Sequence, residues 1–284
     1  VIGFRSFGED PDNVARKGAA YALAMQNNGV LPSMKHFPGH GNTVTDSHHA
    51  LPIVKNSLEE INKIELLPFK YLIDNGVKGA MVGHLYFPAL EPVVNKSSSL
   101  SKNIVTDLLR NEMNYDGIIF TDGLEMKAAY NGIDPDSVCL QAIMAGNDIM
   151  LLPIDVEASM QIVIDAAKNN PDVKNRVEES CKKILRYKYQ LGLNNYESQS
   201  VERLNNDLHQ SRYYNLKQRL YNEAVTMLVN KKNIPCKYIG YFQARTNTYA
   251  DLETLKAKYV EDLSLPDVIG LNIATRCDAL PNDV

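Results

Sequence analysis

The chain has 284 residues, of which 44% are hydrophobic and 23% charged, and its formal net charge is −4. This is a globular composition, long enough for one large domain or two smaller ones. Its charges are interspersed, without a basic run or basic amphipathic stripe, which argues against nucleic acid as a partner. No apolar stretch approaches the roughly 18 residues that a membrane-spanning helix needs.

The first residues, Val-Ile-Gly-Phe-Arg-Ser-Phe-Gly, read as a strand running into a loop, with no initiator methionine or signal peptide ahead of them. The last, Asp283-Val284, close no element. Both ends read as cuts, so the sequence predicts a fragment and carries no legible localisation. Residues 11–29 predict a helix, opened by Pro11 and followed by Gly29. Its Ala-rich stretch, Ala19 to Met25, suits tight packing on a sheet. A strand over 30–36 enters a long loop rich in Gly, His and Asp. Residues 57–74 predict one amphipathic helix, with Ser57 and Glu60 spaced as a capping box and Pro68 a candidate kink. Further strands are expected at 79–83, 117–121 and 148–152. Helices are expected at 101–113, capped by Ser101, and at 135–145, 155–168 and 172–191.

Short strands alternating with helices imply parallel βαβ units. Arg5, Lys35, His36, His84 and Asp122 each follow directly on a strand. Ligands bind at that rim in both (β/α)8 barrels and doubly wound sheets, so position alone leaves both open. Roughly five strands are visible where a barrel has eight. Residues 1–192 are therefore read as a (β/α)8 TIM-type barrel lacking its N-terminal strands, and the polar stretch 193–212 as a linker. Residues 213–284 are read as the start of a second α/β domain, with a helix over 213–229, strands over 237–243 and 267–273, and a helix over 249–261 between them.

The chemistry is concentrated in residues 35–48, Lys-His-Phe-Pro-Gly-His-Gly-Asn-Thr-Val-Thr-Asp-Ser-His. Asp46 and His48 are close enough in a turn to hydrogen-bond. A carboxylate beside a histidine orients the ring and raises its basicity, giving a group that donates a proton and later removes one. His40, between two glycines, reads as a structural tie, and His49 as the outward neighbour of His48. So many His and Asp residues also raise the question of a metal, but their spacing is not H-E-x-x-H and no cysteine joins them. The four cysteines, Cys139, Cys181, Cys236 and Cys277, form no C-x-x-C pair, which speaks against a zinc or redox motif. No metal and no cofactor are expected. Asp122, after the apolar run Gly117 to Phe120, reads equally as a nucleophile at a barrel mouth or as the N-cap of a following helix. His84 reads as a substrate contact or a rim tie.

Lys35-His36-Phe37-Pro38-Gly39-His40-Gly41, followed by Asp46-Ser47-His48, resembles the signature of bacterial β-N-acetylglucosaminidases of glycoside hydrolase family 3. Thr121-Asp122-Gly123-Leu124-Glu125-Met126 resembles that family's nucleophile segment, and Gly3 to Pro11 its upstream substrate-binding segment. Their order and spacing agree over roughly residues 1–190. Tyr221 to Pro235 is similar to the entry into the family's C-terminal α/β domain. The resemblance implies a retaining hydrolase of terminal β-linked N-acetylglucosamine, acting on muropeptide or chitin-like fragments, with peptidoglycan recycling as the setting. It implies Asp122 as nucleophile, His48 with Asp46 as acid/base, and Arg5, Lys35 and His36 as ligands of sugar hydroxyls. The partner is then a small carbohydrate. The alternatives are a phosphorylase, since a histidine repels phosphate less than a carboxylate does, and a non-catalytic sugar-binding fragment.

Overall fold

The computed structural model of the chain describes residues 5–43, 45–198, 201–224, 238–243 and 268–274. The strand expected at residues 1–4, the helix expected at 249–261 and the end of the helix expected over 213–229 lie outside them. The chain divides into two compact units, Val1–Tyr196 and Glu197–Val284.

Helix α1 (Pro11–Asn27) opens the first unit. Asp10 caps it by accepting the Asn13 N–H at 2.7 Å, and Pro11 occupies a first-turn position where no backbone donor is needed. Ala15, Ala19 and Ala22 are buried, Ala19 and Ala22 in one core with strand residues such as Met34 and Ala80, and the helix also packs against α3 (Leu67–Asp74). Strand β1 (Met34–Phe37) follows. Residues 57–74 form two helices, α2 (Leu58–Lys63) and α3 (Leu67–Asp74), rather than one. The capping box closes as expected: Glu60 Oε2 accepts the Ser57 N–H at 2.8 Å, and Ser57 Oγ accepts the Glu60 N–H at 3.3 Å. Pro68 accounts for the break, because it lacks an N–H and its ring crowds the preceding turn. Pro68 therefore starts α3 instead of kinking a continuous helix.

Strand β2 (Gly79–Val82) is followed by a loop and a π-helix over Asn103–Glu112, then β3 (Ile118–Gly123), α4 (Lys127–Tyr130), α5 (Val138–Ala145), β4 (Ile149–Leu151), α6 (Val156–Asn169) and α7 (Pro171–Gln190). Ser101 caps the π-helix, its hydroxyl accepting the Ile104 N–H at 3.2 Å. The four strands form one parallel sheet in the order β1-β2-β3-β4, with Met34 beside Ala80, Gly79 beside Ile118, and Phe120 beside Ile149. Sequential order without reversal is the order of a barrel wall. A doubly wound sheet binds where its order reverses, and the described strands have no such point. Phe37, Ala80, Val82 and Ile119 are fully buried, as parallel strands covered on both faces must be.

Where β4 begins, Asp148 is buried and ties the unit together. Arg110 (2.5 Å), Arg176 (2.7 Å) and Lys183 (3.6 Å) surround it, and it accepts the Ser180 hydroxyl at 2.8 Å and the Ile119 N–H at 3.0 Å. Burial alone would raise this carboxyl. The surrounding cations, Arg110 first, hold it below the ordinary carboxylate value.

In the second unit, α8 (Val201–Leu208) lies inside the stretch read as a linker, and α9 (Ser211–Ala224) follows it. Val201, Leu204 and Leu208 recur at helical spacing among the polar residues, and all three are exposed. Strands β5 (Tyr238–Gln243) and β6 (Val268–Ala274) pair in parallel. Among the described residues, no helix is long and apolar enough to cross a membrane.

Candidate active site

Asp122 stands at the C-terminal end of β3. That strand runs two residues beyond the predicted 117–121, and α4 begins only at Lys127 with Met126 as its N-cap. Asp122 is therefore not a helix cap. Its side chain is 19% exposed, its Oδ1 accepts the Gly123 N–H at 3.0 Å, and its Oδ2 faces His36 Nε2 at 3.6 Å. That gap is too long for a hydrogen bond but within ion-pair reach. One carboxylate oxygen is held by backbone and the other is open to the mouth of the sheet.

His36, on β1, is buried, and its Nδ1 finds no hydrogen-bond partner among the described residues. Burial lowers its pKa to about 4. Asp122 opposes that shift, while Lys35, His40 and Arg5 add to it. The ring is thus neutral at pH 7. Lys35, beside His36 on β1, and Arg5, before α1, are both exposed. Lys17 Nζ donates to the Phe7 carbonyl at 3.1 Å and ties the Arg5 segment to α1. The peptide bonds Lys35–His36 and Phe37–Pro38 are cis.

The loop beyond β1 is built on His40. Thr43 Oγ1 donates to the His40 carbonyl at 3.0 Å and accepts from His40 Nδ1, and the His40 ring stands edge-on to His36 at 5.6 Å. This is the structural tie the sequence predicts. Farther out, His48 Nδ1 lies 2.7 Å from Asp46 Oδ1, which also accepts the His48 backbone N–H at 3.0 Å. These bonds, backbone first, hold the Asp46 carboxyl below the ordinary carboxylate value. Asp46 is ionised and fixes the proton on Nδ1, leaving Nε2 to exchange protons. Between them, the buried Ser47 accepts the Ala128 N–H of α4 at 3.3 Å, so the loop docks beside the segment that follows Asp122. Among the described residues no hydrogen bond or ion pair joins His48 to Asp122. His49 is exposed.

His84 is fully buried and bonds the rim. Its Nε2–H donates to the Gly123 carbonyl at 2.9 Å, and its Nδ1 accepts the Ser99 hydroxyl at 2.8 Å. Burial lowers its pKa, so it too is neutral. It fixes Gly123, whose N–H holds Asp122, and the reading of His84 as a substrate contact fails because no part of its ring is open. Sequence reasoning missed its partner, Ser99, whose only signal is the run Ser97-Ser98-Ser99 after β2. Asn56 and Glu65 at the foot of the loop also passed unremarked.

The chain matches the description "Glycosyl hydrolase family 3 N terminal domain" over residues 1–187. It is 33% identical over 256 residues to a β-hexosaminidase A of Pseudoalteromonas piscicida, covering 84% of this chain and 42% of that protein. To a β-hexosaminidase of Nitrosomonas eutropha it is 34% identical over 163 residues, 57% of this chain and 46% of that protein. A solved glycoside hydrolase family 3 β-N-acetylglucosaminidase from a Paenibacillus superposes with a TM-score of 0.78 at 28% identity, covering 97% of this chain and 53% of that one. The chain spans about half the length of these relatives.

Proposed function

The chain belongs to glycosyl hydrolase family 3, whose N-terminal domain is a TIM-type (β/α)8 barrel, and we propose that it releases terminal β-linked N-acetylglucosamine by double displacement. The observation that carries this reading is Asp122: a half-open carboxylate at a strand end, one oxygen fixed by Gly123 and the other directed at a neutral histidine. The β-hexosaminidase and β-N-acetylglucosaminidase names of the relatives support the sugar.

In the first step Asp122 Oδ2 attacks the anomeric carbon and the aglycone leaves with a proton from His48 Nε2. In the second, His48 Nε2 takes a proton from water, and the hydroxide displaces Asp122 with net retention. Asp46 holds the imidazole in the required tautomer and stabilises its cationic form. The loop carrying this pair closes over the bound sugar and brings the exposed His48 to the leaving group. His36, Lys35 and Arg5 hold sugar hydroxyls, His36 as a neutral ring. Muropeptide or chitin-like fragments are the substrates, and neither nucleic acid nor a metal takes part.

The test is turnover by the intact protein of an aryl N-acetylglucosaminide against the matching glucoside, with and without phosphate. The proposal expects strong preference for the N-acetyl sugar, a product free of phosphate, and an added N-acetylhexosaminyl mass on Asp122 in quenched samples. A sugar phosphate product would assign phosphorolysis instead, and absence of turnover with tight binding would assign a sugar-binding module.

A further inference from the structure

The loop that presents Asp46 and His48 leaves β1 through Gly39 and reaches α2 through Asn56. Its two ends meet on one residue that plays no part in the chemistry above. Glu65, in the break between α2 and α3, is buried. Its side chain lies so close to Gly39 that a Cβ there would stand 2.7 Å from Glu65 Cβ, and Gly39 adopts φ +142°. No other residue fits that contact and that backbone. On the return side, Asn56 Nδ2 donates to Glu65 Oε1 at 2.9 Å, and Asn42 Nδ2 reaches Asn56 Oδ1 at 3.4 Å. Just before Asn56 the chain is pinned again: the Val54 N–H donates to the Tyr86 carbonyl at 2.9 Å, and the Tyr86 N–H to the Pro52 carbonyl at 2.8 Å. Between these ties the outer loop, residues 45–50, is mostly exposed, with Ser47 its buried docking point.

We propose that Glu65 is a positioning residue that clamps both feet of the acid/base loop, so that the loop swings as a unit and returns His48 to one place above Asp122. The assignment rests on the acid/base reading of Asp46 and His48. A buried carboxyl is expensive to keep unless its bonds matter to the fold or the site. Here Oε2 has no hydrogen-bond partner among the described residues, and burial raises the carboxyl above its ordinary value. Burial of such a group at the foot of a loop, with one oxygen committed to the loop, is what a hinge anchor requires.

Two measurements on the intact protein test it. The first is amide hydrogen exchange over residues 40–56. Glu65→Ala should speed exchange there by about tenfold or more, a local opening rather than a global one, and leave the peptides of β2, β3 and β4 unchanged. Glu65→Gln, which keeps the acceptor for Asn56 and the methylenes against Gly39, should restore the wild-type rate. Unchanged exchange in the loop, or faster exchange throughout the sheet, overturns the clamp. The second is a series of aryl N-acetylglucosaminides of differing leaving-group acidity. Glu65→Ala should slow poor leaving groups by about 10–100-fold, the scale of displaced general acid catalysis, and activated ones by less than about threefold. An equal loss across the series overturns the positioning role. His48→Ala in the same series separates the two ideas: a flat response there refutes the acid/base reading, while the exchange result still decides whether Glu65 holds the loop.

Discussion

At the end of the sheet where the strands begin, charge is buried and matched; at the end where they finish, histidines are buried neutral and a carboxylate is left half open. Asp148 at the first end has two arginines, a lysine, a hydroxyl and a backbone N–H around it. Asp122 at the other end has one short bond, from Gly123, and faces His36 across 3.6 Å. The two aspartates share a sheet and differ in what their oxygens still have to do. Saturation gives stability, and an unsatisfied oxygen is available for reaction. Under the proposed function, one end of the sheet holds the fold and the other carries the reaction.

Neutralising each aspartate in turn separates the two ends most strongly. Asp122→Asn should lower turnover by on the order of 10⁴-fold, the scale seen when one member of a catalytic set is removed, while its unfolding free energy stays within about 1 kcal/mol of wild type. Asp148→Asn should do the reverse. It strips the countercharge from Arg110, Arg176 and Lys183 and should cost about 3–5 kcal/mol in urea unfolding, with turnover per folded molecule nearly unchanged. Comparable stability losses in both variants would refute the division.

His84 tests the boundary between the two behaviours, since it is as buried as Asp148 yet bonds Gly123, next to the proposed nucleophile. His84→Ala removes the donor to Gly123 and leaves a cavity, which should cost about 3 kcal/mol. If its work is to hold the Asp122 segment, kcat should fall well beyond what lost stability explains at a temperature where the variant is fully folded, and KM should move little. His84→Gln, which can still donate to the Gly123 carbonyl, should recover part of kcat. A variant of normal kcat would make His84 a packing residue only.

Much of this was legible in the sequence, for reasons that particular residues show. Local signals held: the Ser57–Glu60 capping box, the Ser101 cap and the Asp46–His48 pair each depend on residues no more than three apart. One error came from context that local pattern cannot carry: Pro68 split residues 57–74 into two helices. The double reading of Asp122 turned on where the next helix begins, and periodicity locates such ends only to within a few residues. His84 with Ser99, Glu65 with Asn56 and Asp148 with Arg176 are long-range partners that only the fold brings together. The contact at Glu65 was illegible for a further reason: Glu65 lies in the break between α2 and α3, where one continuous helix was expected.

Acidification offers the gentlest probe, because both ends lose stability as pH falls but in different windows. His36, His40 and His84 are all pushed below the ordinary histidine value of 6.5, chiefly by burial, and His36 to about 4. Folding therefore favours their neutral forms. Their contribution is complete above pH 6.5 and shrinks as the unfolded chain takes up protons that the folded chain refuses. For His36 alone the loss should reach about 2 kcal/mol by pH 5. Asp148 is depressed from 3.8 and favours its charged form, so its contribution persists through that range and is lost only as pH falls below the ordinary carboxyl value. Unfolding free energies measured from pH 7 to pH 3 should thus decline in two stages. His36→Gln should flatten the decline between pH 6.5 and 4 and leave the lower stage intact, whereas Asp148→Asn should flatten only the lower one. A single decline that both variants alter alike would mean that the two ends of the sheet are one electrostatic system.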